Sequence, residues 1–322
     1  MSDTLDNDIL QQSKQKIALL KQNVSQILIG QDAVLEQVII AFLAGGHVLI
    51  EGVPGLGKTL LIRALAQSIS LNYKRVQFTP DLMPADVTGH SMLDVSSGKF
   101  VLRKGPAFTN LLLADEINRA PAKTQAALLE VMQEHQITID GESHSLDAPF
   151  MVLATQNPID NEGTYPLPEA ELDRFMMKVQ VEYPELSAEI ALTQGITTNS
   201  HSVEAINSVI SAEDVLSLQD LASKVLVDEK IVEYAVSLVR ASREWQGVAH
   251  GAGVRASIAL IQTAKVHALM QGSGFVLPDH IKAMVFPVLR HRIILSAELE
   301  ISGVNTEQVL NEIIAKVPAP RQ

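Results

Sequence analysis

The segment EGVPGLGKTL, residues 51–60, lies between the apolar run HVLI and the helix-like segment LLIRALAQSI. From residue 52 to residue 59 it keeps the spacing G-x-x-x-x-G-K-[ST], which is the pattern of a phosphate-binding loop. Glycines let successive backbone N–H groups point at one anion, and the helix that follows adds the positive end of its dipole. In this pattern the lysine reaches the β- and γ-phosphates and the hydroxyl binds Mg²⁺. The alternative is an ordinary strand-to-helix loop with a solvated lysine. We predict a nucleotide-phosphate site formed by Gly52, Pro54, Gly55, Leu56, Gly57, Lys58, Thr59 and Leu60.

The composition limits the class of protein. At 322 residues the chain is long enough for one large domain or two ordinary ones, and 47% hydrophobic but only 4% aromatic residues predict an aliphatic core. Its 25 basic and 37 acidic residues give a net charge of −12, so no nucleic-acid partner is expected. The absence of cysteine excludes a disulfide framework. The polar N-terminus and the short, interrupted apolar stretches predict a soluble cytoplasmic protein without a membrane span.

Apolar runs and helical patterns alternate along the first half of the chain. Three runs are continuously apolar, as expected for strands buried on both faces of a parallel sheet: HVLI (47–50), NLLLAD (110–115) and FMVLAT (150–155). YKRVQFT (73–79) is a fourth, more polar strand candidate. Helices are predicted at 8–28, 31–45, 59–70 and 122–134. This order predicts a doubly wound α/β domain.

Two predicted hairpins interrupt the alternation. One spans 92–105 with its turn at Ser97-Gly98, and the other spans 136–146 with its turn at Asp140-Gly141. Two inserted hairpins in one α/β domain suggest added surfaces for partners.

Strand patterns nearly vanish after residue 187. The pattern there predicts helices at 187–196, 212–225, 229–244, 255–271, 278–289 and 304–316, with Ser211 and Asp214 forming a capping box. We therefore predict an α/β domain of residues 1–184 and a smaller all-helical domain of residues 185–322.

Polar residues follow two of the predicted buried strands. Nucleotide hydrolysis needs a metal ligand, a group that orients water, and positive charge for the transition state. Asp115 and Glu116 end one strand, where Asp115 is placed to hold Mg²⁺ and Glu116 to polarise the attacking water. Asn157 ends the other, where its amide could contact the γ-phosphate or the water. Taken alone, an Asp-Glu pair is often a cap and Asn-Pro a turn, but together with the phosphate loop they favour a site.

Two arginines are candidates for the positive charge. Arg174 follows an acid in ELDRF, on a short turn or helix beyond the last core strand. Arg255, in GAGVRASIAL, opens a helix of the second domain. An ordinary salt bridge is the alternative for either one.

Five segments together resemble the MoxR-type AAA+ ATPases, from about Ile29 to Arg292. They are EGVPGLGKT (51–59), QFTPDLMPADVTG (77–89), DEINRAPAKTQAALLEVMQE (115–134), ATQNPIDNEGTYPLPEAELDRF (154–175) and RASIAL (255–260). The resemblance implies an AAA+ P-loop NTPase core with a parallel sheet flanked by helices, an all-helical C-terminal lid, and ATP held between them at the subunit interface of a homo-hexameric ring.

The same resemblance assigns roles to single residues. Lys58 and Thr59 match Walker A, Asp115 and Glu116 match Walker B, and Asn157 matches sensor 1. Arg174 matches the arginine finger offered to the neighbouring subunit, and Arg255 matches the sensor 2 arginine of the lid. Ile29 and Gly30 fall where the family cradles adenine. Arg119 is a weaker match to a residue that faces the neighbour.

The resemblance also implies a function, namely an ATP-driven, chaperone-like motor that remodels or matures protein clients. Its expected client or adaptor carries a von Willebrand factor A domain, and the two hairpins resemble the family's inserts for substrate remodelling. A magnesium-chelatase-like motor subunit and a ring helicase are the alternatives. A GTPase would need an N-K-x-D signature, which does not occur. The basic cluster Arg290-His291-Arg292 is expected to pack or form salt bridges within the lid.

Overall fold

The computed structural model describes residues 5–52, 55–157, 164–197 and 206–320. Helices and strands alternate up to residue 181, as the sequence predicts. In chain order these elements are α1 (Asn7–Ser25), α2 (Asp32–Leu43), β1 (Val48–Gly52), α3 (Lys58–Ile69), β2 (Tyr73–Gln77), α4 (Pro84–Thr88), β3 (Gly89–Asp94), β4 (Lys99–Lys104), β5 (Leu111–Asp115), α5 (Ala122–Glu134), β6 (Gln136–Ile139), β7 (Glu142–Ser145), β8 (Met151–Gln156), α6 (Glu169–Leu172) and β9 (Met177–Val181). A single 3₁₀ turn, Ile117–Arg119, follows β5.

Five parallel strands form the central sheet in the order β2-β5-β8-β1-β9. Its three middle strands are apolar on both faces because helices cover both sides, which confirms the continuous apolar runs as strands. The carboxyl ends of parallel strands meet at one edge of the sheet. This topology therefore brings the segments that follow β1, β5 and β8 together.

The fifth strand, β9, is missing from the sequence-based prediction. Its sequence MKVQV alternates apolar and polar residues, because β9 is an edge strand whose Lys178 and Gln180 point away from the core. Arg174 precedes this strand. The prediction that Arg174 lies beyond the last core strand is therefore wrong, since the residue lies in the connection from α6 to β9.

Both predicted hairpins are present. Strands β3 and β4 pair from Gly89↔Lys104 to Asp94↔Lys99, with the turn at the predicted place. Strands β6 and β7 are joined through Asp140 (φ 52°) and Gly141 (φ 84°), which are both left-handed, as a two-residue hairpin turn requires.

The part after residue 185 is mainly helical. Its elements are α7 (Leu186–Thr197), α8 (Ala212–Lys224), α9 (Glu229–Glu244), β10 (Val248–His250), α10 (Val254–Gln271), α11 (Pro278–Leu289), β11 (Ile294–Leu295), α12 (Ala297–Ile301) and α13 (Thr306–Lys316). The predicted helices and the Ser211–Asp214 capping box are confirmed. The antiparallel pair β10–β11 was not predicted, because strands of two or three residues carry no pattern.

Helix α1 packs against both parts of the chain, contacting α2 and α3 on one side and α10 on the other. Its buried face is aliphatic, with Ile17, Leu20 and Val24 nearly inaccessible to solvent. One hydrophobic cluster runs from this helix into both the sheet and the C-terminal helices. Among the described residues, the helices are too short or too polar to cross a lipid bilayer.

Candidate functional site

The phosphate-loop sequence joins β1 to α3. Gly57 takes a left-handed conformation (φ 79°) directly before the first turn of α3 and offers no side chain to cap it, so the N–H groups of that turn are left for an anion. Gly52 is required for a different reason, since a Cβ there would lie 2.6 Å from the carbonyl oxygen of Val181 on β9. Pro54 lies outside the described residues.

A cavity of about 480 Å³ opens beside this loop. Its lining brings together eight of the residues predicted from the sequence: Gly55, Gly57, Lys58, Thr59, Leu60, Asp115, Glu116 and Asn157. Four further polar side chains line it that the sequence did not indicate: Arg63, Arg75, Gln77 and Thr155. The phosphate loop, the Asp115-Glu116 pair and Asn157 therefore line one common site.

Lys58 is half-buried in this site, and its ammonium donates to the carbonyl oxygen of Gly52. Burial lowers the pKa of the Lys58 ammonium, and the carboxylates of Asp115 and Glu116 oppose that shift. A bound phosphate would favour the charged form in the same way, because it would bring more negative charge close to the ammonium.

Asp115 is held by two side chains from the neighbouring strands. The hydroxyl of Thr155 donates to its Oδ1 at 2.6 Å, and the guanidinium of Arg75 donates to its Oδ2 from Nε at 3.1 Å and from its terminal nitrogen at 2.6 Å. The Thr155 hydroxyl in turn accepts the backbone N–H of Glu116 at 2.8 Å. A single buried hydroxyl thus orients both acids.

Glu116 has a left-handed backbone (φ 56°), which is uncommon for a residue with a side chain and is a form of local strain found at functional sites. Its Oε2 accepts from the Gln77 amide at 2.7 Å and from the Arg119 guanidinium at 3.0 Å. Arg119 therefore pairs with the Glu116 of its own chain.

The unpredicted residues of the site come from strands that only the sheet order places there. Arg75 and Gln77 lie on β2, in register with Leu113 and Asp115 of β5. Thr155 is the polar residue at the end of the otherwise apolar run FMVLAT, and it is fully buried. A hydroxyl residue in an otherwise apolar buried strand could have indicated this site residue from the sequence.

A second cavity, of about 350 Å³, adjoins the first and shares Gly55, Gly57 and Leu60 with it. Ile29 lines this cavity, together with Ile27, Leu28, Leu56, Tyr183, Pro184 and Leu192. Gly30 does not line it but packs against α7, where a Cβ would lie 2.6 Å from Cβ of Ala188. The mainly apolar wall suits a flat heterocycle next to the phosphate cavity.

Arg174 and Arg255 do not line the phosphate cavity. Both line a separate cavity of about 200 Å³ with Asp173, Met132 and Gln133. The Arg255 guanidinium is half-exposed and lies 3.9 Å from Oδ2 of Asp173. The structure thus brings the two predicted arginines together, but away from Lys58 of the same chain.

The donor set fits a nucleotide with Mg²⁺. Thr59 and Asp115 face the same cavity and offer the oxygen ligands that Mg²⁺ takes, while Lys58 and the first turn of α3 supply positive charge for the phosphates.

Comparisons with known proteins agree with this geometry. Residues 47–177 match the family described as ATPase family associated with various cellular activities (AAA), and residues 240–313 match the AAA lid domain. Chaperone MoxR1 of Mycobacterium tuberculosis is 40% identical over 311 residues, covering 92% of this chain and 81% of that protein. YeaC of Bacillus subtilis, named as uncharacterized, is 42% identical over 301 residues, 94% of each chain.

A crystal structure of a candidate ATPase from Cytophaga hutchinsonii superposes with a TM-score of 0.91 at 40% identity, covering 97% of each chain. Fold and site together define an AAA-type P-loop ATPase core with a helical lid region. Within that class, the chain belongs to the MoxR-type AAA+ ATPase family.

Proposed function

We propose that this protein hydrolyses ATP in a Mg²⁺-dependent reaction and uses the energy to remodel a protein client. The observation that carries the proposal is the single cavity in which Lys58 and Thr59 of the phosphate loop face Asp115 and Glu116. The adjoining apolar cavity has room for the adenine base. The two cavities meet at the glycines of the loop, as the base and phosphates of one nucleotide would require.

In this proposal each side chain has one task. Lys58 exchanges the Gly52 carbonyl for phosphate oxygens, and Thr59 and Asp115 hold Mg²⁺. Bound Mg²⁺ would neutralise charge on the β- and γ-phosphates. Glu116 orients the attacking water and accepts its proton, for which its carboxylate must leave Gln77 and Arg119. Asn157 contacts the γ-phosphate or the water.

The positive charge for the transition state comes from a neighbouring subunit. Arg174 and Arg255 lie together on a different part of the surface from the phosphate cavity, which supports a shared site in a homo-hexameric ring. An arginine supplied by a neighbour accelerates related phosphoryl transfers by roughly 10³- to 10⁵-fold. Arg174 is then the finger, and Arg255 supports it from the lid.

The client or its adaptor in this proposal is a protein that carries a von Willebrand factor A domain. A relative that is 40% identical carries the name Chaperone MoxR1. The hairpin β3–β4 exposes apolar side chains, among them Val95, Phe100 and Val101, on which a client could dock. We also propose that the boundary between the ATPase core and the lid lies between residues 184 and 185. Because the proposed reaction consumes ATP, we propose that the protein acts in the cytoplasm.

Mixing two inactive variants tests the shared site. Lys58→Ala should lose ATP binding, because the loop loses its cation, and Arg174→Ala should bind ATP but turn over roughly 10³-fold more slowly or worse. In mixed rings, an Arg174→Ala subunit with an intact loop meets a Lys58→Ala neighbour with an intact arginine, so turnover should return. Arg240→Ala, at an exposed position of α9, is the matched control and should remain active.

Two results would contradict the proposal. Near-normal ATP affinity of Lys58→Ala in calorimetry would remove the phosphate-loop assignment. Normal turnover by Arg174→Ala alone would show that the site is not shared.

A further inference from the structure

Arg292 belongs to the basic cluster at 290–292, and its side chain is only 4% exposed. All five of its N–H donors are used, at 2.5–3.1 Å. One bond goes to the carboxylate of Asp173, and the other four go to the carbonyl oxygens of Asp173, Phe175, Met176 and Val288. The sequence-based expectation that this cluster packs within the lid region is thus only partly met, since Arg292 bonds mostly outside it.

Three of those carbonyls and the carboxylate belong to residues 173–176, the connection from α6 to β9 that contains Arg174. Arg292 itself follows α11, in the C-terminal helical part of the chain. Its neighbour His291 adds a bond from Nε2 to the carbonyl of Phe175 at 3.0 Å. Two side chains of the lid region therefore hold the backbone on the C-terminal side of Arg174.

Arg174 has little to fix it through its own side chain. Its Nε is buried and has no hydrogen-bond partner among the residues that the structure describes, although Arg174 lines the small cavity beside Arg255. The direction in which Arg174 points therefore depends on its backbone. That backbone is fixed on one side by α6, through the bond from the Arg174 N–H to Glu171, and on the other side by Arg292.

We propose that Arg292 is a positioning residue for Arg174. It ties the orientation of that arginine to the lid region, so ATP turnover in the neighbouring subunit depends on where this subunit's lid lies. The inference rests on the proposed function, in which Arg174 acts on the neighbour's nucleotide. A merely structural bridge between core and lid would instead weaken the subunit's own nucleotide site along with its stability.

Arg292→Lys is the variant that separates these roles. Lysine keeps the charge but has a single nitrogen with three donors and no planar fork, so it cannot serve five acceptors. ATP affinity of the variant should stay within about 2-fold of wild type, whereas turnover should fall by about 10²-fold, the cost of misplacing a reacting group by about 1 Å. Arg290→Lys is the matched control and should keep its turnover. Arg290 is close to Arg292 in sequence but pairs with Glu307 of α13 at 3.0 Å.

Complementation gives a readout that a structural role would not reproduce. Mixed with Lys58→Ala, Arg292→Lys should regain turnover, because its intact loop then meets a correctly held finger on the neighbour. Mixed with Arg174→Ala it should stay inactive, because neither partner presents a functional finger. Native mass spectrometry verifies that mixed rings form. Amide hydrogen exchange at residues 175 and 176 should be faster in Arg292→Lys and unchanged in Arg290→Lys.

Asp173→Asn is a second variant. It keeps the carbonyl acceptors of Arg292 and removes the carboxylate charge that faces both Arg292 and Arg255. It should show the same complementation pattern with a smaller loss. Two results would overturn this inference and leave the shared site standing. One is full turnover by Arg292→Lys. The other is that Arg292→Lys stays inactive when mixed with Lys58→Ala although Arg174→Ala regains turnover in the same mixture. If Arg174→Ala itself fails to revive with Lys58→Ala in verified mixed rings, the shared site is wrong and the inference falls with it.

Discussion

Replacing Thr155 by valine removes one hydroxyl from the centre of the site at nearly constant volume. That hydroxyl is 1% exposed and lies between Oδ1 of Asp115 at 2.6 Å and the backbone N–H of Glu116 at 2.8 Å. Valine can neither donate to the carboxylate nor accept from the amide. Both acids therefore lose the partner that sets their relative orientation.

The expected loss of stability follows from these two bonds. A hydrogen bond to a charged group contributes about 1.5–3 kcal/mol, and a buried amide left without a partner costs about 1–3 kcal/mol. The Asp115 side chain is 17% exposed, so water replaces part of its bond. We expect the free energy of unfolding to fall by about 2–4 kcal/mol. Turnover should fall by about 10- to 100-fold, the usual effect of removing a partner of a metal ligand.

The assay compares Thr155→Val with Thr155→Ser in denaturant unfolding and in ATP turnover across a Mg²⁺ titration. Serine keeps the hydroxyl and loses one methyl group, so it should cost about 1 kcal/mol and leave turnover close to wild type. The valine variant should also need more Mg²⁺ for half-maximal turnover. Equal turnover in the two variants at every Mg²⁺ concentration would refute the role given to the hydroxyl.

Two further predictions concern other groups of the site, and a third concerns a buried histidine that precedes β1. Glu116→Gln should bind ATP with unchanged affinity in calorimetry but lose turnover, because an amide cannot accept the water's proton; sustained hydrolysis would move the base elsewhere. Arg75→Ala should lower the Mg²⁺ concentration needed for tight ATP binding, because its guanidinium competes for Oδ2 of Asp115, and an unchanged Mg²⁺ requirement would rule that competition out. Burial lowers the pKa of His47 to about 4. As the pH falls from about 6.5 to 4, only the unfolded chain takes up a proton at this residue. His47 should therefore lower the free energy of unfolding by about 3 kcal/mol over that range. Denaturant unfolding of His47→Gln should lack this contribution to the pH dependence.

The parts of the fold that the sequence predicts are those with strong local patterns. β1, β5 and β8 are apolar on both faces, so their runs are unambiguous, and the Asp140-Gly141 turn has a conformation that few other pairs adopt. β9 was not predicted, because this edge strand shows only a weak alternation of apolar and polar residues. The pair β10–β11 is too short to show any pattern.

The same distinction applies to the site. The phosphate loop is a contiguous segment whose spacing alone indicated a site, and the Asp115-Glu116 pair at the end of an apolar run was indicated in combination with it. Arg75 reaches Asp115 only because β2 lies beside β5, and that order follows from the packing of the whole sheet. Arg292 meets Asp173 across a separation of more than a hundred residues, which no local pattern encodes.

Each charged group that faces the phosphate cavity already has a partner within the chain. Lys58 is bound to a carbonyl, Asp115 to Arg75, and Glu116 to Gln77 and Arg119. A ligand shifts a conformational equilibrium only through contacts that differ between the two states. In the proposed function, a nucleotide with Mg²⁺ would compete for several of these partners at once, since phosphates attract the cations and Mg²⁺ attracts the carboxylate. Binding would therefore release side chains of β2 and of the turn after β5, and these exchanged contacts would couple the occupancy of the cavity to the conformation of the rest of the subunit.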